Sequence, residues 1–468
     1  MKKYITILIL ACVVLFTSCS KWLDINTNPN YVEDAEMQNI LPATQMALTV
    51  KVGYELTLYG SFWSQYVVQN SNTNQYYTIM TNDVTNSTFT GPWSYFYAQI
   101  LPGLREINTK AEEKGNASNY VLVSKTMLAY TLYLLTSLYD KVAYTEGYLS
   151  QSQTPKFDSG ESMQGIIIGI LEDVRAMDFD KVVDDCSANT LEGYDMIFGG
   201  DPSSWLEFAN TLYLKVLLRD FNTNKAKITA LLAEDTFLSA DAAFDNFQDA
   251  SDKSNPLYES DRRQLNTDAN IRCCSDVLNV LSADDPRLLY FYDKNPGGVV
   301  TGGPYGTSAN PNQTSRLALY ATEPVYFGTV DEAEFLKAEA YARLNDAASA
   351  QTAYVAAVTA AFTRVKATAA DAAAFLAGDY AFTATTTEEM LEQILTQKWA
   401  SNVHGEPWES WFDINRTGYP ARGIVLTDVS GVLDQGYPVR FIYSKTSADY
   451  NPNSPTPEAV NVKMWWHK

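Results

Sequence analysis

Glu334-Phe335-Leu336-Lys337-Ala338-Glu339-Ala340-Tyr341-Ala342-Arg343 places small alanines along one helical face. The stretch that follows puts Tyr354, Ala357, Val358 and Phe362 at helical intervals. Small residues on one helix let an aromatic stripe on the next approach closely, the packing of tetratricopeptide-like hairpins. The two segments, 331–344 and 347–365, therefore predict an α-α hairpin, although a strict period of about 34 residues is not sustained along the chain. Working outward, apolar residues at helical spacing predict further helices over 36–58, a patch around 62–68, then 93–109, 119–139, 161–177 and 202–219, the last with Ser203 as its cap. The fold class is mainly α.

Between and after these helices the composition changes. Residues 250–313 are rich in Asp, Asn, Pro and Gly, with Asn295-Pro296-Gly297-Gly298 and Gly302-Gly303-Pro304, and the chain from Gly423 onward is again turn-rich. Such composition makes loops and short strands, and long loops in a compact protein are usually functional. The length of the mature chain allows two or three ordinary domains or one large helical one. Helical patterning covers about 36–245 and 325–420, and loop-rich composition about 246–324 and 421–468.

The first eighteen residues read as an export signal: Lys2 and Lys3, an apolar run from Tyr4 to Phe16, then the small Thr17 and Ser18 before Cys19. A cysteine at that place is the pattern of a bacterial lipoprotein, so Cys19 is the expected lipidation site and anchors the mature protein to a membrane. The formal charge of −21, from 34 basic and 55 acidic residues, disfavours nucleic acid and anionic lipid as electrostatic partners. The most apolar later segment, 121–139, is interrupted by Ser124, Lys125, Thr126, Thr131, Thr136 and Ser137, and is expected in a protein core. Cys186, Cys273 and Cys274 remain in the mature chain and are expected as buried free thiols; a bridge from Cys186 to one of the pair is the alternative.

Several strings, in order along nearly the whole chain, resemble SusD/RagB-like lipoproteins. They are Trp22-Leu23-Asp24-Ile25-Asn26-Thr27-Asn28-Pro29-Asn30; Thr154-Pro155-Lys156-Phe157-Asp158 with Glu161; Phe198-Gly199-Gly200-Asp201 with Trp205 and Phe208-Ala209-Asn210; Asp285-Pro286-Arg287-Leu288; Glu409-Ser410-Trp411-Phe412-Asp413-Ile414-Asn415-Arg416-Thr417-Gly418-Tyr419-Pro420; and Trp465-Trp466. The resemblance implies a single domain over 19–468, a tetratricopeptide-like helical scaffold with an irregular ligand-facing part made from long insertions. It also implies a role at the outer membrane, facing the cell surface, as the lid of a SusC-type TonB-dependent transporter that takes up oligosaccharides or, in some members, peptides. Two positions depart from the family pattern. Ser20-Lys21 stands where acids often follow the lipidated cysteine, which bears on surface export, and His467 replaces the acid after the tryptophan pair.

No enzyme is expected. His404 and His467 are the only histidines, and neither accompanies a nucleophile motif. No cofactor and no metal site are predicted. Asp24-x-Asn26-x-Asn28 has Pro29 where a calcium loop needs glycine and Ala35 where it needs an acid, though calcium elsewhere stays open because some members of the family bind it. The segment 408–416 reads as a core stripe of Trp408, Trp411 and Phe412, with Glu409, Asp413 and Arg416 in a buried ion-pair network. With 30 Tyr and 9 Trp, most rings are expected at helix interfaces, so candidate ligand contacts are sought where rings meet amides in loops. These are Tyr76, Tyr77 and Trp93 around the Asn-rich stretch with Asn72 and Asn74, and Tyr292 and Tyr305 around the glycine-rich loop. Flat rings stack on sugar faces while amides take the hydroxyls. The same architecture binding oligopeptides, and a structural or adhesive lipoprotein, are the alternatives.

Overall fold

The computed structural model describes residues 35–265, 270–420 and 436–468. The signal segment, Cys19 and Trp22 to Asn30 lie outside the described residues.

Helix α1, Met37–Lys51, continues through a wide turn at Val52–Leu56 into α2, Thr57–Trp63. The helix expected around 62–68 ends early: Gln65 takes a positive φ, and the β-branched Val67 and Val68 enter strand β1, Val67–Gln69. Helix α3, Leu101–Lys114, stops at Gly115 with φ +73°, a left-handed cap that glycine adopts without strain. Helices α4, Ser118–Tyr139, and α5, Gly160–Arg175, follow. Helix α6, Pro202–Leu218, is capped by Asp201 and not by Ser203: the Asp201 carboxylate accepts from the backbone N–H groups of Ser203 and Ser204 at 3.3 and 3.0 Å. Pro202 occupies the first turn, where its missing N–H costs nothing. Helix α7 is Phe221–Glu234.

These helices pack pairwise, α3 on α4, α4 on α5, α5 on α6 and α6 on α7, the stacking of helical hairpins, and a further helix between α5 and α6, Phe179–Ala188, packs on α4. Among the described residues α4 is the one helix long and apolar enough to cross a membrane, and protein surrounds it. Its interrupting hydroxyls are satisfied internally: Thr126, Thr131 and Thr136 donate to the carbonyls of Leu122, Met127 and Leu132 at 2.7–2.8 Å.

Strands β2, Ala242–Phe244, and β4, Val325–Gly328, pair antiparallel, while β3, Ile271–Cys273, pairs with β1. The β2–β4 pairing brings the two ends of the loop-rich segment together, so this long excursion leaves and rejoins the scaffold at one place. The chain then forms α8, Val330–Arg343, α9, Ala347–Arg364, α10, Thr387–Ser401, and α11, Pro407–Thr417. The hairpin of α8 and α9 packs as the sequence predicts: Phe335, Ala338 and Ala342 share a buried cluster with Tyr354, Ala357, Val358 and Phe362, completed by Ile394 and Leu395 of α10.

A buried charge network locks α6, α8, α10 and α11 together. Lys215 reaches Glu332 at 2.8 Å and Glu409 at 3.4 Å; Lys398 reaches Asp413 at 2.9 Å and Glu332 at 3.3 Å. Arg416 bridges Glu339 and Asp413 at 2.6 and 2.7 Å, and Arg343 adds a second contact to Glu339. Glu409 thus belongs to Lys215 and to the Tyr133 hydroxyl, which donates at 2.7 Å, while Asp413 and Arg416 pair as the sequence suggests. Glu406 lies 3.8 Å from Lys215. Glu332, Glu339, Glu406, Glu409 and Asp413 outnumber Lys215, Lys398, Arg416 and Arg343 by one. The excess falls on Glu406, where burial and then the neighbouring Glu332 carboxylate push the carboxyl well above its usual range.

Cys273 and Cys274 are buried free thiols as expected, whereas the free Cys186 is only half-buried.

Candidate ligand-facing surface

The recognisable strings are mostly structural. Asp195, just before Phe198-Gly199-Gly200-Asp201, is buried and accepts from the Trp205 indole at 2.7 Å, from Gln45 at 2.7 Å and from the Gly200 N–H at 2.9 Å. Asp285 caps a short helix at Pro286–Phe291, and the fully buried Arg287 guanidinium spans Asp285 at 2.9 Å, Gln397 at 3.1 Å and Ser401 at 3.1 Å. That tie fastens the loop-rich part to α10. Asp158 accepts from the backbone of Tyr144 and Thr145. Trp408, Trp411 and Phe412 are buried, Trp411 edge-on to Trp63 at 4.8 Å.

The structure brings the two candidate loops together. Beyond β1, the Asn70 N–H donates to the Asn270 carbonyl at 2.8 Å and the Ser71 N–H to the Ala309 carbonyl at 2.8 Å, while the Ala309 N–H returns to Gln69 at 2.7 Å. On the far side of β3, the Gly303 N–H donates to the Cys273 carbonyl at 2.9 Å. Gly302 is required there because a Cβ would lie 2.4 Å from the Ser275 backbone nitrogen. The Asn-rich stretch and the glycine-rich loop thus flank one short ladder.

Within this surface the amides divide into two sets. The buried Gln69 shapes its loop, accepting from the Tyr76 N–H at 2.8 Å and donating to Thr73 at 2.6 Å. Asn70, Asn295 and Asn310 cap turns, accepting from the N–H groups of Asn72, Gly297 and Asn312. The side chains of Asn72 and Asn74 are exposed and make no hydrogen bond among the described residues, and Tyr77 beside them leaves 45% of its surface in solvent.

The other candidates are inside the protein. Tyr76 is buried with its hydroxyl 3.1 Å from Asp261. Trp93 packs among Tyr97, Tyr139, Phe157 and Tyr443. Tyr292 is buried and donates to the Tyr66 carbonyl at 2.9 Å, and Tyr305 is likewise buried. All four rings are buried, so none offers a free face to a ligand.

A cleft of about 490 Å³, which sequence reasoning did not single out, lies nearby. Met46, Val50 and Tyr54 of the first helical run line it together with Met196, Phe244 and Phe247. Asn246, Gln248, Lys253 and Glu259 add polar groups to the lining. Its signal was the pair Phe244 and Phe247 within an Asp- and Asn-rich stretch; Met46 and Val50 read equally well as core.

The geometry defines a scaffold of stacked helical hairpins that carries long loops and a cleft. The chain belongs to the SusD-like family described as starch-binding and associating with the outer membrane, whose profile matches residues 29–444. Solved structures agree in fold. A SusD homologue from Bacteroides uniformis is 20% identical with a TM-score of 0.74, covering 93% of this chain and 100% of its own. A chitin-binding SusD homologue from Flavobacterium johnsoniae is 22% identical with a TM-score of 0.74, covering 92% and 96%. A search of curated protein sequences returned no match.

Proposed function

We propose that this protein captures oligosaccharides at the outer membrane and delivers them to a SusC-type TonB-dependent transporter, for which it serves as the lid. It is anchored through acylated Cys19, faces the cell surface and catalyses nothing itself. The family, described as starch-binding, supports the ligand class, as does a neighbour of the same fold that binds chitin. The observation that carries the reading is the exposed Tyr77 ring beside the uncommitted amides of Asn72 and Asn74, a stacking platform with hydroxyl-binding groups on a loop braced from beneath by Gln69.

Calorimetric titration of the unlipidated Cys19→Ala protein against a panel of oligosaccharides tests it. Saturable heat with one glycan class, weakened by Tyr77→Ala, is the expected result; silence with every glycan would remove the reading. In cells, the same Cys19→Ala protein is expected in the soluble fraction, and full retention on the membrane would contradict the anchor.

A second reading, capture of oligopeptides, is favoured by the Met46, Val50, Met196 and Phe247 lining of the cleft. Apolar amino-acid side chains match that lining better than a pyranose does. Heat with peptides alone would promote it.

A further inference from the structure

A second, smaller cavity lies where the scaffold meets the loop-rich part, and two of the side chains lining it, His404 and Trp408, carry ring nitrogens with no hydrogen bond among the described residues. His404 has a side chain 5% exposed, with neither ring nitrogen hydrogen-bonded; its Nδ1 stands 3.6 Å from Glu323 Oε1. Trp408 is 1% exposed, and its indole N–H is also unpartnered. Both residues line the cavity, as do Glu323, Leu317, Leu319 and Tyr320. Buried donors and acceptors are almost always satisfied in folded proteins, so two unsatisfied groups converging on one space point to something that enters it.

The space measures about 40 Å³, several times the roughly 10–15 Å³ that one water needs. It therefore admits a small polar group of a few atoms. At its mouth Tyr320 leaves 40% of its surface exposed, held by its hydroxyl on the Tyr290 carbonyl at 3.1 Å and by ring contact with Tyr290 at 5.3 Å. The Tyr290 hydroxyl in turn donates to Glu323 at 3.0 Å, fixing that carboxylate.

The lining favours a neutral occupant: a cation would meet the positive edge of the Trp408 N–H, and an anion would meet the Glu323 carboxylate. A hydroxyl suits all three groups, because it accepts from the indole N–H and donates to a carboxylate or an imidazole nitrogen. We propose that this cavity is a carbohydrate subsite that takes the exocyclic hydroxymethyl arm of a hexopyranose whose ring lies against Tyr320. The assignment rests on the glycan-binding reading and adds to it a requirement for hexoses over pentoses.

The chain has two histidines, so a histidine-labelled sample gives an imidazole spectrum with an internal control. The experiment titrates 13C-histidine-labelled Cys19→Ala protein with maltohexaose, chitohexaose, mannohexaose and xylohexaose, with calorimetry in parallel. Xylohexaose lacks the hydroxymethyl arm. The expected result is that a hexose oligomer shifts the His404 ring signal while that of the half-buried His467 stays in place, and that xylohexaose does not shift it. Tyr320→Ala, a surface change that leaves the fold intact, is expected to weaken that glycan about tenfold, or roughly 1.4 kcal/mol. Trp408→Phe, which keeps a ring and removes the N–H, is expected to weaken it about fivefold. Full binding heat with an unmoved His404 overturns the subsite and leaves the glycan reading standing. An equal His404 shift with xylohexaose overturns the role of the arm, and absence of heat with every oligomer removes both.

Discussion

Helix α11 and the loop between Gln69 and Tyr77 both mix rings with polar side chains, yet the first buries almost everything and the second presents it. In α11, Trp408, Trp411 and Phe412 sit in the core, and Glu409, Asp413 and Arg416 find partners on three other helices. In the loop, two buried amides, Gln69 and Asn70, satisfy the backbone, and those of Asn72, Asn74 and Gln75 are left to solvent. The difference lies in where the partners come from. Charges on α11 are neutralised across the fold, so the helix cannot move without stranding them. The loop is braced through its own backbone, so its outward side chains can be exchanged at little cost.

The largest effect expected on the scaffold side is from Arg416→Leu. It strands Glu339 and Asp413, whose carboxyls burial alone would raise but which Arg416, together with Arg343 for the former and Lys398 for the latter, brings below the usual range. Removing one partner of a buried network costs roughly 3–5 kcal/mol. Denaturant unfolding should show a lower midpoint with unchanged slope; a loss under 1 kcal/mol would mean that the network is no more than decoration.

Glu406 sharpens the same side with a smaller, pH-dependent effect. Its folded carboxyl titrates above its unfolded value, so the folded state holds a proton that the unfolded state releases as pH rises past about 4.5. Its contribution to stability is fully present below that pH and is lost as pH climbs through the folded value. Glu406→Gln keeps the shape without the titration. It should match the wild type at low pH and be more stable at pH 8, and equal stability at both would refute the excess-carboxylate account.

Asp201→Ala, which removes a helix cap at the rim of the scaffold, should cost about 1 kcal/mol. The thermal midpoint is the measurement, and an unchanged midpoint would hand the capping role to Ser203 after all.

How much of this was legible in the sequence follows the same division. The alanine face of 334–343 fixed the hairpin because a 3.6-residue period and a small–large match survive without tertiary information. Helices over Phe179–Ala188, Phe221–Glu234 and Thr387–Ser401 went unread, the last because Gln397 and Lys398 on its buried face break the apolar stripe and make sense only beside Arg287 and Asp413. The loop surface was half legible. The composition located both loops, but it could not distinguish Tyr76, which turns inward to Asp261, from Tyr77, which turns out. Adjacent tyrosines look alike until tertiary contacts decide which faces inward, and the partner that holds Tyr76 inward, Asp261, stands 185 positions away.

The smallest stability effect and the sharpest test of the comparison belong to Tyr77→Ala. The ring is nearly half exposed and its deletion leaves no cavity, so unfolding free energy should change by no more than about 0.5 kcal/mol. If the loop is a platform, glycan affinity should nevertheless fall about tenfold, a loss of roughly 1.4 kcal/mol appearing in binding alone. The neighbouring Tyr76→Ala inverts the pattern. It empties a core position and leaves Asp261 without its hydroxyl donor, so stability should fall by about 3–5 kcal/mol, with any loss of binding following from the collapse of the loop. Two adjacent tyrosines would then separate binding from folding. Equal stability losses in both variants would mean that the loop belongs to the core as a whole, and that its exposed ring serves packing and not a sugar.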